Sequence, residues 1–492
     1  MTGRPYYERL SALDASFLGL EDAHCHMHVG GVLIFEGGPL LCADGSLDID
    51  RARHAIASRL HLVPRFRQRL ARMPDQRTHI WIDDDRFRLA YHVRHTALPK
   101  PGDQRVLKRL VGRLMSQSLD RGRPLWEMWF VEGLQENRFA IISKTHHCMI
   151  DGISGADLIS VILDALPRTD PGEVEPWTPR PAPSSIQLGL HAIGRRLAQP
   201  VEAVQAVWQA AWHPDDSLRR LGDDLAAIGE ALAPALRPAS QTPINVEVGP
   251  HRRFDWTEMR VADLKTVKNA LGGTINDVVL AIVSGALRRF FHKRGADPDQ
   301  LEVRAQVPVS VRSQDERGQL GNRVTQMIAR LPVNVPDPVA RLQTVRATMG
   351  NLKESKQALG GEVLTAISDW TVPNLLVQAV RLAERSRPFN LIVTNIPGPQ
   401  IPLYFLESQM LTTYPVVPLF HGLGLVVGLF SFNGGLFWGV NADWESIPDL
   451  HDFIVALERS FEELQQSAAA VASRAQRHRA RPRAKKRQAA AS

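Results

Sequence analysis

Cysteine is scarce: Cys25, Cys42 and Cys148 are the only three in 492 residues, and their spacing suggests no pairs. That argues against a disulfide framework and for a reducing compartment. Long apolar runs are also missing. A spanning helix needs about 20 uninterrupted apolar residues. The nearest approach, Leu423 to Trp438, is broken by Asn433 and by Gly424, Gly428, Gly434 and Gly435. It reads as two strands with a turn at Asn433-Gly434-Gly435. Met1 to Leu20 is interrupted by Arg4, Glu8, Arg9 and Asp14 and does not read as a signal peptide. No Gly-x-Ser-x-Gly elbow occurs, since Gly152-Ile153-Ser154-Gly155 is one residue short. Gly422-x-Gly424 fails the spacing of a dinucleotide fingerprint. His24, His26 and His28 alternate along one stretch, but no acid or cysteine cluster completes a metal site, so no metal is expected.

Hydrophobic residues make up 44% and charged residues 23%, an ordinary balance for a globular chain long enough for two cores. The net charge of +7 is localised rather than spread. Arg474, Arg477, Arg479, Arg481, Arg483, Lys485, Lys486 and Arg487 stand together without an acid, and subtracting these eight leaves −1 for the rest. Residues 471–492 therefore read as a basic, disordered tail. Such a tail suits an anionic lipid surface or plain solvent. Nucleic acid is not expected, because no aromatic residue is interleaved with the charge.

The chemistry concentrates in Thr145-His146-His147-Cys148-Met149-Ile150-Asp151-Gly152. The apolar segment Phe139–Lys144 before it has strand character, and apolar residues recur at helical spacing from Ile153 to Leu166. Neighbouring side chains on an extended chain point to opposite sides, so one histidine faces a cavity and the other faces packing. Histidine accepts and returns a proton near neutral pH. A histidine here can take the proton of a hydroxyl as that hydroxyl attacks a carbonyl. Asp151 can orient the loop and Gly152 permits the turn. The adjacent pair does not fit a helical two-histidine zinc site, whose ligands lie one turn apart. Cys148 is a small packing residue on this reading.

Further along, Pro124-Leu125-Trp126 reads as a turn leading to a buried tryptophan. Thr274-Ile275-Asn276-Asp277 reads as a helix start with a capping-box arrangement. Asn276 there serves either as part of the cap or as a donor to a developing oxyanion. Strands are expected over Met27–Phe35, Val303–Val311 and Asn390–Ile396, and helices over Ile49–Arg59, Val106–Ser118, 274–294 and Pro338–Lys353. A proline-rich linker gives way to helical patterns over Ile186–Leu236, with Trp208 and Trp212 on one stripe.

His146-His147-x-x-x-Asp151-Gly152 resembles the active-site motif of the coenzyme A-dependent acyltransferase superfamily. That superfamily holds chloramphenicol acetyltransferase, peptide-synthetase condensation domains and the bacterial wax ester synthase/diacylglycerol acyltransferases. Leu10–Phe17 with Met27–Phe35, Pro124-Leu125-Trp126, Asn276-Asp277, Pro308–Arg312, Gly321-Asn322-Arg323 and Asn390–Pro399 resemble the last family in order. The resemblance implies an α/β fold (mixed α+β) of two chloramphenicol acetyltransferase-like domains, each a mixed sheet flanked by helices, joined by a helical crossover. The division implied is 1–170, a linker and crossover over 171–250, a second domain over 251–470, and the tail. The reaction implied moves a fatty acyl group from acyl-CoA to diacylglycerol or a long-chain alcohol, without an acyl-enzyme and without a cofactor. His147 would be the general base and His146 its support. Asp151 would be structural, with Arg312 as its partner, and Asn276 would steady the oxyanion. Pro124-Leu125-Trp126 would support the floor of the site. A cytoplasmic enzyme, peripherally associated with membrane or lipid inclusions, is the expectation. A condensation-type enzyme using carrier-protein thioesters and a non-catalytic lipid-surface protein are the alternatives; the intact motif argues against the second.

Overall fold

Side-chain caps start the principal helices, as their sequences require. In this computed structural model Ser11, Asp48, Asp103 and Thr274 each accept a backbone N–H from three residues on. The structure describes residues 6–73, 79–149, 161–184, 186–188, 238–310, 324–354 and 387–488. The first half contains β1 (Glu8–Arg9), α1 (Ala12–Leu20), β2 (His28–Glu36), α2 (Ile49–Ala57), β3 (Gln68–Arg72) and β4 (His79–Asp83). It continues with α3 (Leu89–His92), β5 (Val93–Ala97), α4 (Gln104–Met115), β6 (Trp126–Leu134) and β7 (Arg138–His146). The second half holds β8 (Arg252–Arg260), α5 (Val261–Leu271), α6 (Ile275–Lys293), β9 (Val303–Ser310), β10 (Val324–Leu331) and α7 (Pro338–Glu354). It ends with β11 (Leu391–Pro397), β12 (Tyr404–Phe405), β13 (Ser408–Val416), β14 (Leu425–Phe432), β15 (Gly435–Asp443) and α8 (Leu450–Gln488).

Two six-stranded mixed sheets result, ordered β12-β13-β2-β7-β6-β5 and β10-β9-β11-β14-β15-β8, with β1-β4-β3 as a small third sheet. Each large sheet buries its own core. Phe35, Trp126, Phe130 and Phe139 fill the first. In the second, α6 is buried from Val278 to Leu287, the pattern of a central rather than a surface helix. The Asn433-Gly434 turn joins β14 to β15, and both residues take positive φ there.

The two halves interlock. β13 comes from late in the chain yet pairs with β2 of the first sheet and carries β12 at its edge, so the second unit expected at 251–470 is not confined to the second sheet. The junction is tight: a Cβ on Gly439 of β15 would lie 1.9 Å from the carbonyl oxygen of Pro415 on β13. On Gly428 of β14 it would lie 2.8 Å from Val417.

The basic tail departs from expectation. It is not a disordered segment beginning at 471; α8 carries the chain helically to Gln488. The reason is propensity: alanine, arginine, lysine and glutamine are strong helix formers, and a packed helix already leads into them. The crossover expected over Ile186–Leu236, with Trp208 and Trp212, lies almost wholly outside the described residues. Among those described, no single helix is long and apolar enough to cross a membrane.

Candidate active site

β2 and β7 pair so that His28 stands directly opposite His146. Strand alternation places Lys144 on the same face as His146. The His146 N–H donates to the Leu125 carbonyl at 2.9 Å, and the His147 N–H donates to the Met27 carbonyl at 2.8 Å. The chain then leaves the sheet in a single 3₁₀ turn, His147–Met149. His146 is fully buried, whereas His147 is partly accessible and lies flat on Phe17, ring centroids 3.8 Å apart.

His146 Nδ1 accepts the Cys148 backbone N–H at 3.1 Å, so a neutral ring carries its proton on Nε2. That nitrogen faces Glu21 Oε2 at 3.5 Å, and His28 Nε2 faces the other oxygen at 3.4 Å. Arg121 closes the cluster at 2.6 Å. Burial alone would raise the Glu21 carboxyl, but the contacts from His146, His28 and Arg121 outweigh it and hold the group well below the carboxylate range. Burial pushes His28 down to about 3. It pushes His147 down to about 4, a bond to its own backbone only partly opposing it. Both rings are therefore neutral at pH 7. Lys144 is buried and donates to the Leu114 carbonyl at 2.9 Å and to the Gln117 carbonyl, at the C-terminal end of α4 where a cation is favoured. Burial still brings it down to about 8. Burial pushes the Cys148 thiol up, so it is no nucleophile.

The other anticipated residues fall as follows. Pro124-Leu125-Trp126 leads into β6 beside the histidines. Leu125 supplies the carbonyl that holds His146, and Trp126 is buried with its indole N–H on the Phe66 carbonyl at 2.9 Å. Asp277 is spent on the capping box, accepting from the Thr274 N–H at 2.7 Å. Asn276 lies in the first turn of α6, and among the described residues no hydrogen bond joins it to either histidine. Asp151, Gly152 and Arg312 lie outside the described residues. A cavity of about 250 Å³ opens beside Cys148 and Met149; Glu8, Arg9, Asp14 and Arg65 give it a charged lining unsuited to a fatty chain. The alternating histidines do not share a strand face, because β2 begins only at His28. His24 is exposed, while His26 and His28 stack with centroids 5.4 Å apart. Ligand atoms of Asp22, Cys25 and His421 lie within 4.8 Å of one another, and the pairing of Asp22 with His421 at 2.8 Å accounts for that approach. Glu21 was missed by sequence reading. Its one signal is a carboxylate just past the end of a short apolar helix, ahead of histidines that need a partner once buried.

Residues 10–279 match the wax ester synthase/diacylglycerol acyltransferase catalytic domain. The chain belongs to this family. Residues 320–465 match the family's C-terminal domain. Relatives span nearly the whole length. Mycobacterium tuberculosis proteins named probable diacylglycerol O-acyltransferase tgs1 and tgs2 are both 33% identical, covering 89% and 92% of this chain and 92% and 98% of their own. The solved wax ester synthase/diacylglycerol acyltransferase from Marinobacter aquaeolei VT8 is 26% identical with a TM-score of 0.67, covering 94% of this chain and all of that one. A condensation domain of the calcium-dependent antibiotic synthetase, 18% identical with a TM-score of 0.56 over 94% and 97% of the two chains, shares the fold. This family member is accordingly an acyltransferase with the two-domain fold its motifs implied.

Proposed function

We propose that this acyltransferase moves a long-chain acyl group from acyl-CoA to the hydroxyl of diacylglycerol or of a long-chain alcohol, with His147 as general base. The observation that carries the reading is the division of labour between the histidines. His146 is locked in the sheet, and His147 is neutral and partly accessible on the turn beyond it. His147 takes the proton of the acceptor hydroxyl, whose oxygen attacks the thioester carbonyl. The tetrahedral intermediate expels the coenzyme A thiolate, which recovers that proton. No acyl-enzyme is required, because a thioester is already activated and holding donor and acceptor together supplies much of the rate. For the same reason the reaction needs no metal or redox group. Asn276 supplies the oxyanion contact on this reading, formed only with substrate in place.

Release of coenzyme A from palmitoyl-CoA, followed with dioleoylglycerol or hexadecanol, tests the proposal. Faster release with the first marks a triacylglycerol synthase, and with the second a wax ester synthase. Release with neither, from folded protein, overturns the reading and favours a carrier-protein donor or a non-catalytic role. The basic end of α8 rests on anionic lipid in this picture, bringing the site to water-insoluble acceptors; sedimentation with vesicles checks that part.

A further inference from the structure

We propose that α1 is the positioning element of this site, and that Glu21 at its C-terminal end orients His146 and, through it, the turn that carries His147. The proposal rests on the acyl-transfer reading above and deepens it. Phe17 and Glu21 stand four residues apart, so they project from the same side of the helix end. One meets each histidine. Phe17 lies under the His147 ring at 3.8 Å, and Glu21 Oε2 faces His146 Nε2 at 3.5 Å. The Glu21 side chain is only 7% exposed, too buried to be a casual surface acid. Its two oxygens gather donors from separate segments. Oε2 takes Arg121 at 2.6 Å besides His146, and Oε1 faces His28 Nε2 and the Met27 N–H, both at 3.4 Å.

The coupling to His147 runs through the His146 ring. Nε2 lies at ion-pair distance from Glu21 without hydrogen-bond geometry to it, and Nδ1 takes the Cys148 N–H. That bond holds the peptide joining His147 to Cys148, hence the direction in which the His147 ring leaves the sheet. Without the carboxylate, the Cys148 N–H alone favours the Nε2–H tautomer, and the ring loses its charged anchor on the other side. The other tautomer presents a donor to the Cys148 N–H and breaks the bond. The logic is that of a carboxylate fixing an imidazole's tautomer and orientation. Glu21 touches no reacting atom in this scheme, so it is a positioning residue.

The test compares Glu21→Gln and Glu21→Asp with the wild type in the coenzyme A release assay, with thermal melting alongside. Glu21→Gln keeps the volume but presents amide N–H groups to the surrounding donors. The expected result is a fall in kcat of about 10- to 100-fold, the range for outer carboxylates that orient a working imidazole. KM for palmitoyl-CoA stays within about twofold, and Glu21→Asp recovers part of the loss, because remote positioning acts on the chemical step rather than on binding. A kcat within about twofold of wild type overturns the proposal. Should Glu21→Gln fail to fold, nitrogen NMR of histidine-labelled wild type and Glu21→Asp decides. A His146 Nε2–H signal that changes in Glu21→Asp supports the proposal, and one identical in the two proteins overturns it. If the wild type releases no coenzyme A with either acceptor, the acyl-transfer reading falls, while the tautomer still reports on the Glu21 contact by itself.

Discussion

A histidine held at about 4 is always ready to accept a proton at neutral pH, at the cost of basicity. The sign of its pH dependence follows. The base works when deprotonated, so kcat/KM should be flat from about pH 6 upward and fall below about pH 5, approaching tenfold per unit. An activity limb near 6.5 would instead mean a solvated base. Circular dichroism at each pH is the necessary control. His28 and His92, at about 3 and 4, are neutral when folded but take up protons when unfolded, so stability also declines as pH drops below about 6.5. At neutral pH, His147→Ala should lose about 10²- to 10⁴-fold in rate while the protein still folds, since general-base catalysis contributes that much and the lost stacking on Phe17 lowers the melting temperature only modestly. Of the residues involved, the histidine pair was legible because adjacency on an extended chain sets the two rings on opposite sides. Glu21 was not, because nothing in Leu20-Glu21-Asp22 says which acid turns inward.

At the scale of elements, most of the reading survived because caps and periodicity are local. Asp48 caps α2, and Thr274 with Asp277 forms the box that starts α6. Element boundaries have local causes as well. Pro64 opens a 3₁₀ turn, so β3 begins only at Gln68, and Tyr91 and His92 close the short helix α3 before β5 starts at Val93. The element hidden from sequence is β13, whose partner β2 precedes it by more than 370 positions. Its packing makes a prediction. Gly439→Ala forces a Cβ against the Pro415 carbonyl, so backbone must move. Overpacking of this kind costs roughly 1–3 kcal/mol, to be read as a lowered urea midpoint without a changed slope. An unaltered midpoint would show that the two sheets are not pressed together there.

For the whole molecule, charge is segregated from chemistry. The body is close to neutral, and eight basic residues occupy the end of α8 from Arg474 to Arg487. At about 1 kcal/mol per basic residue close to an anionic surface, such a segment is enough to hold the protein there at low salt. Sedimentation with phosphatidylserine vesicles should therefore be strong. It should weaken at high salt and be lost on truncation after Ser473, while neutral vesicles bind little. Equal binding by the truncated chain would assign lipid contact elsewhere.

Sequence by itself determined the family, the reaction class and the histidine pair, because ordered motifs and cap chemistry are written in neighbouring residues. It also determined where the charge lies. Tertiary structure alone decided that the second half lends β12 and β13 to the first sheet, and that Glu21 turns inward to meet His146. It likewise decided that the basic tail is helical to Gln488. The sheet exchange and the Glu21 contact depend on distant segments meeting, and no local pattern specifies which distant partner a strand or a buried charge will find. In the tail, the helix already packed before it settled whether propensity or repulsion prevails.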